Sequence, residues 1–235
     1  MTAASRLVVK LDPRSAHADA VLCGGYLYTS GVSAIEELLA IASDPLSTGD
    51  VDLPTDRFGE LVSLLSLRNG FYAFESALHV FGSGTTDAER GLLDWNKPNL
   101  WRCAYDRLPG DVWFFAEDVF GGQFGLAPAA IVVMDPDTGD LSHFAENIEE
   151  WAATLLSDYA LHTGYPLAHA WQQMHGPLKV GHRLTPKVPL VLGGEFTLAN
   201  LYEADAVAAL LYRGYLAAQI RDLPDGATVE FRIVK

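Results

Sequence analysis

The chain has 235 residues, 49 % of them hydrophobic and only 20 % charged, with 30 acidic against 16 basic side chains and a net charge of −14. That composition can bury a sizeable core without disulfides or metal and excludes disorder for the bulk of the chain. The acidity argues against binding to nucleic acid or to an anionic membrane surface, both of which need clustered Lys and Arg.

In chain order, residues 5–11 read as a short strand. Residues 32–42 have helical periodicity, with Ile35, Leu38, Leu39 and Ala42 on one face. Residues 44–54, with three Asp, two Pro and a Gly, read as an exposed loop. A helix is expected from Thr55 or Asp56, burying Phe58, Leu61, Val62 and Leu65, and Asn69-Gly70 closes it. Ala77 to Phe81 read as a strand, 83–87 as a polar loop, and two short helical pieces follow with Trp95 and Trp101 near their ends.

From Asp111 the pattern switches to strands. Val112–Ala116, Gln123–Leu126, Ala130–Met134 and Leu141–Phe144 are short apolar runs separated by turn signals, which predicts an antiparallel meander. A helix is expected from Glu146 to about Leu161, aligning Ile148, Trp151, Ala152, Leu155 and Tyr159, and another over 165–174. Residues 176–194 hold three Pro and four Gly and read as a linker. Asn200 to Glu203 resembles a capping box for a helix to about Leu223 that buries Val207, Leu211, Tyr215 and Ala218. Thr228 to Val234 alternates as a terminal strand. Helices, then a meander, then helices, without βαβ alternation, give an α+β class.

The charge is regional. No Lys or Arg lies between Arg14 and Arg57, a span with seven acids, nor between Arg107 and Lys179, a span with ten. Such spans form either a solvated acidic face or an electrostatic patch for a basic protein. The two cysteines, Cys23 and Cys103, match no metal or redox motif. The N-terminus lacks a secretory h-region, and the longest apolar stretch, 126–134, is too short to span a bilayer. A reduced, cytoplasmic location is the expectation.

Motifs with chemical meaning are few. Asp137-Thr138-Gly139 matches the aspartic-protease triplet, but that chemistry needs two carboxylates sharing a proton, hence a second copy, and there is none. Within Asp135–Asp140 it reads as a hairpin turn. The same segment fails as a calcium loop, since Gly139 and Asp140 stand where a ligand and a Gly are required. The seven histidines, His17, His79, His143, His162, His169, His175 and His182, show no metal-ligand spacing. Gly121 to Gly125 is not a phosphate-binding loop. No cofactor and no metal are expected. Glu117-Asp118 is a carboxylate pair beside Phe114, Phe115 and Phe120. Neighbours on a strand point to opposite faces, so one is expected to cap a turn and the other to face water. Aromatic residues are dense from Trp95 to Phe124; most should be core, with one or two left as exposed anchors.

The run from Leu64 to Glu75 (LLSLRNGFYAFE) with Ala77–Phe81, then Phe115 to Phe124 (FAEDVFGGQF), the Asp135–Gly139 turn and Trp151 in the helix that follows resemble the SUKH superfamily over roughly residues 55–175. The resemblance implies an α+β fold with helices packed around a bent antiparallel sheet. It divides the chain into an N-terminal extension (1–50), a SUKH-like core (51–178) and a C-terminal helix–strand extension (179–235) packed on the core. It implies no catalysis. Members include bacterial immunity proteins that bind and neutralise toxins, often nucleases, and a eukaryotic branch that regulates cell-wall synthesis through protein contacts. The expected function is therefore a non-enzymatic protein-binding module, an immunity protein that masks a basic toxin. A regulatory or scaffold protein without a toxin partner is the alternative, and a hydrolase using Glu117 or Asp118 with a histidine is the third reading. Candidate partner-binding residues are Trp95, Trp101, Glu117, Asp118 and Gln123.

Overall fold

A computed structural model describes residues 8–10, 32–87, 89–224 and 227–230. His17, Cys23 and the outer ends of both expected terminal strands lie outside the described residues. Ser33 starts the first helix, α1 (Ala34–Ala40): its hydroxyl accepts from the Glu36 N–H while the Glu36 carboxylate accepts from the Ser33 N–H. Helix α2 (Thr55–Leu67) begins directly after Pro54 and buries Phe58, Leu61, Leu64 and Leu65. Val62, expected among them, is only half-buried. The chain turns at Gly70 with φ +74°, and a Cβ there would sit 2.6 Å from the Gly82 nitrogen. Both conformation and space therefore demand glycine at that turn.

Strands β2 (Phe71–Ala73) and β3 (Leu78–Val80) form a hairpin. After it come the short helix α3 (Leu92–Trp95) and a 3-10 turn at Arg102–Ala104, the two helical pieces expected. The meander is present as β4 (Trp113–Asp118), β5 (Gln123–Leu126), β6 (Ile131–Met134) and β7 (Leu141–Ala145). Together these strands make a six-stranded antiparallel sheet in the order β2-β3-β4-β5-β6-β7. Register shifts at Phe114/Ala116 and Ile131/Val132 interrupt its ladder, the irregularities that bend a sheet.

The expected 146–161 helix is two helices, α4 (Ile148–Ser157) and α5 (Tyr159–Thr163). Asp158 leaves helical geometry and caps α5 by accepting from the Leu161 N–H. Helix α6 (Tyr165–His175) follows. The proposed linker is not one: it carries β8 (His182–Pro186), paired antiparallel with β9 (Leu201–Asp205). The last helix, α7 (Ala206–Ile220), starts five residues later than the Asn200 box suggests, with Asp205 as its cap, accepting from Ala208 N at 2.8 Å. Strands β1 (Val8–Lys10) and β10 (Thr228–Glu230) pair with each other. The architecture is α+β. Among the described residues no helix is long and apolar enough to cross a membrane.

The main core lies between the sheet and α1, α2 and α4. Trp151 of α4 sets its edge against Phe115 and Phe124, with ring centroids at 5.1 and 6.0 Å. A second cluster joins Ala77, Val119, Ala168, Trp171, Leu178, Leu184 and Leu201. It packs residues from both sides of the expected 178/179 boundary into one body of side chains. The β2–β3 turn places Phe74, Glu75 and Ser76 in the left-handed region, at φ 51°, 52° and 68°. Each costs roughly 1–2 kcal/mol. Helix α6 holds the turn: His169 Nδ1 lies 2.8 Å from Glu75 Oε2, and Gln172 Nε2 donates to the Glu75 carbonyl at 2.8 Å.

Candidate functional site

The antiparallel register brings one rung of polar residues into line. Tyr72 opposes His79, His79 opposes Glu117, and Glu117 opposes Gln123, across β2, β3, β4 and β5. Opposed residues share a sheet face, so four polar side chains stand side by side. His79 Nδ1 lies 3.1 Å from Glu117 Oε1. A carboxylate can only accept, so Nδ1 carries the proton and Nε2 is left as an acceptor. Gln123 Nε2 donates to Glu117 Oε2 at 3.0 Å, and Trp95 Nε1 donates to Gln123 Oε1 at 2.8 Å. The Tyr72 ring stacks on the His79 ring at 4.4 Å, and its hydroxyl donates to Glu89.

Arg183 completes the group. Strand β8 docks on the end of β4 through Leu184 N, which donates to the Val119 carbonyl at 2.8 Å. This brings Arg183 Nη2 to 2.8 Å from Glu117 Oε1 and its guanidinium 5.5 Å above the Tyr72 ring. Glu117 and Arg183 are each 1 % exposed and His79 is 2 % exposed. Burial alone would push the Glu117 carboxyl up; the Arg183 charge and the His79 hydrogen bond outweigh it and hold Glu117 below the usual carboxylate range. Burial pushes His79 down and outweighs the Glu117 hydrogen bond, so the imidazole is held neutral.

Both directions mean that the folded state binds fewer protons than the unfolded chain. Their stabilisation is therefore complete above the unfolded pKa values, about 6.5 for His and 4.3 for Glu, and is lost as the pH falls below them. Between pH 6.5 and 5.5 the native chain should lose up to about 1 kcal/mol more stability than a His79→Gln variant. Urea midpoints at the two pH values check this, and equal slopes would show His79 protonated in the fold.

The five candidate residues separate clearly. Trp95, Glu117 and Gln123 are brought together in this group, all buried. Trp101 is fully buried behind them, packed on Trp95, Tyr105 and Phe114 at 5.4 to 5.9 Å between centroids. As they stand, these four cannot be exposed anchors. Among the dense aromatics from Trp95 to Phe124 none is exposed; Trp113 and Phe120 are half-buried and the rest are core. Asp118 does cap the turn, its Oδ1 accepting from Phe120 N at 2.7 Å and Gly122 N at 2.9 Å. Desolvation pushes its carboxyl up to about 7. The expectation that its neighbour faces water is wrong, because Arg183 and His79 give Glu117 internal partners. Arg183 and Glu89 were not singled out from the sequence, since neither stands in a motif.

His79, Glu117, Glu89 and Trp95 form part of the wall of a cleft of about 250 Å3. Its rim includes Arg90 and Asp205. Elsewhere, the two base-free spans meet. The Glu149 carboxylate of α4 accepts from Ala34 N of α1 at 2.6 Å, and Glu60 of α2 accepts from Ile148 N at 3.0 Å. Glu150 accepts from Glu146 N. Glu36 and Glu37 stand in the first turn of α1, Glu149 and Glu150 in the first turn of α4 with Glu146 just before it, and Glu60 of α2 reaches the same end of α4; no Lys or Arg pairs with them among the described residues, while His143 Nε2 lies 3.0 Å from Glu146 Oε1. Glu37, Glu146 and Glu150 are exposed.

Comparison with known proteins adds fold information alone. No model of a known protein family matches the chain, and no curated protein matches it. Among solved structures, the crystal structure of Atu4351 from Agrobacterium tumefaciens is similar, with a TM-score of 0.50 and 12 % identity. The likeness covers 74 % of this chain and 84 % of that one, and extends to the arrangement of the backbone only.

Proposed function

We propose that the chain is a non-enzymatic protein-binding module of the immunity type, which masks a basic protein toxin. One observation carries this reading: five acids of the two spans, Glu36, Glu37, Glu146, Glu149 and Glu150, stand where the first turns of α1 and α4 touch, and none has a Lys or Arg partner among the described residues. Exposed charge of one sign steers an oppositely charged partner and raises the association rate at low salt. Binding to products of neighbouring genes, measured by co-purification and then by stopped flow, tests it. Glu37→Lys combined with Glu146→Lys, both exposed, should slow association about tenfold at low salt and flatten its salt dependence. A tight complex insensitive to salt and to these reversals would refute the steering. A stable complex with a housekeeping protein, and no neighbouring toxin, would favour the regulatory or scaffold alternative.

The Glu117–His79 pair favours a second reading as a hydrolase, because a carboxylate-oriented imidazole with its second nitrogen toward a cleft is the arrangement of a general base. Turnover of model esters or phosphoesters that His79→Gln abolishes without lowering Tm would support it.

A further inference from the structure

The cleft above the polar rung carries an acceptor without a donor. His79 Nε2 is buried, and no hydrogen-bond partner reaches it. Glu89 Oε2 lies 3.7 Å away, too far for a direct bond and also an acceptor. The other Glu89 oxygen is already used by the Tyr72 hydroxyl. Two buried acceptors at this spacing can both be reached by one nitrogen placed between them, about 2.9 Å from each. Leaving a buried acceptor unsatisfied costs roughly 1–3 kcal/mol, so a donor placed there gains more than the same contact on an exposed surface.

The surroundings select the sign of that donor. Four carboxylates line the cleft, Asp87, Glu89, Glu117 and Asp205. Arg90 at the rim and Arg183 behind Glu117 leave the region at −2. Apolar side chains complete its walls, Phe81, Val180 and Val207. Such walls lower the local dielectric and strengthen attraction to a cation. Asp205 spends Oδ1 on the α7 cap and is exposed, so its remaining oxygen meets solvent or a ligand.

We propose that this cleft binds a cationic nitrogen group, a guanidinium or primary ammonium, whose N–H donors bridge His79 Nε2 and Glu89 Oε2. The group belongs either to a free small amine or to an Arg or Lys side chain of a protein. None of the acids at the α1–α4 corner lines the cleft, so this proposal stands or falls separately from the steering reading.

Calorimetric titration of the full chain tests it with methylguanidinium as the free cation and acetyl-Gly-Arg-Gly-amide as the side-chain source. Saturable binding of methylguanidinium is expected, with a change in the His79 Nε2 chemical shift and no binding of acetate. Glu89→Gln should weaken it about tenfold. Asp205→Asn, which keeps the helix cap, should weaken it as well, and provides a second readout if Glu89→Gln perturbs the fold. Peptide binding with similar affinity identifies a protein side chain as the source, whereas exclusion of the peptide identifies a free amine. Absence of saturable methylguanidinium binding, or affinity unchanged in both variants, overturns the proposal.

Discussion

Arg183→Met should destabilise the protein by about 3–5 kcal/mol, the usual cost of leaving a buried charge without its partner. Glu117 is 1 % exposed and Arg183 sits on it at 2.8 Å. Once the guanidinium is gone, Glu117 retains only His79, held neutral by burial, and Gln123. A stability of 5–15 kcal/mol is typical of a folded domain, so the variant loses a large share of it. The loss should be smaller in acid, because Arg183 is the first of the favourable influences that hold the Glu117 carboxyl low, and without it a proton can neutralise the site. The double variant Arg183→Met/Glu117→Gln should recover about 2 kcal/mol or more, since it removes both charges rather than one. Urea unfolding at pH 7 reads all three variants. A loss below about 1 kcal/mol for Arg183→Met would show that water reaches the pair.

The position of Arg183 explains what was legible in the sequence and what was not. The meander β4–β7 and helix α2 were readable because their signals are local: apolar runs, Asp-Pro-Asp-Thr-Gly and a helix-starting Pro. Strands β8 and β9 were hidden. Residues 176–194 look like a linker by composition, and Asn200-x-x-Glu203 has the spacing of a capping box. Only the pairing of residue 182 with 205, 23 positions apart, makes this segment a hairpin, and no local pattern encodes it. The site failed in the same way. As partner-binding candidates Trp95, Glu117 and Gln123 are expected at the surface, yet the register of four strands turns Glu117 and Gln123 inward and Trp95 covers them. In contrast to these local signals, the touch between the two acidic spans comes from a contact between helices 115 residues apart in sequence.

Helix α7 shows the same limit from another side and leads to the second large effect. The sequence pattern predicts Val207, Leu211, Tyr215 and Ala218 as the buried residues, but Tyr215 is 53 % exposed. The buried residues are Ala206, Ala209, Leu210, Arg213, Gly214, Leu216 and Ala217. Four of the seven are Ala or Gly, and at Gly214 the helix approaches closely: a Cβ there would meet Ala104 and Tyr105 within 3 Å. An arginine on a buried face is invisible to a hydrophobicity pattern. Arg213 Nε donates to Asp137 Oδ1 at 2.6 Å, both residues are 4 % exposed, and its Nη1 donates to the Phe120 carbonyl. One guanidinium therefore ties α7 to the β6–β7 turn and to the turn capped by Asp118. Asp137→Ala should cost about 3–5 kcal/mol by stranding that charge. Asp137→Asn keeps an acceptor of the same shape and should cost about 1–2 kcal/mol. At this chain length the alanine variant should melt roughly 10 °C lower. Arg213→Met should match Asp137→Ala, and the double variant should be less unstable than the sum of the two, because the two side chains are one interaction. If instead both Asp137 variants melt like the native chain, the Asp-Thr-Gly turn is not held by α7, and its aspartate is free for another role.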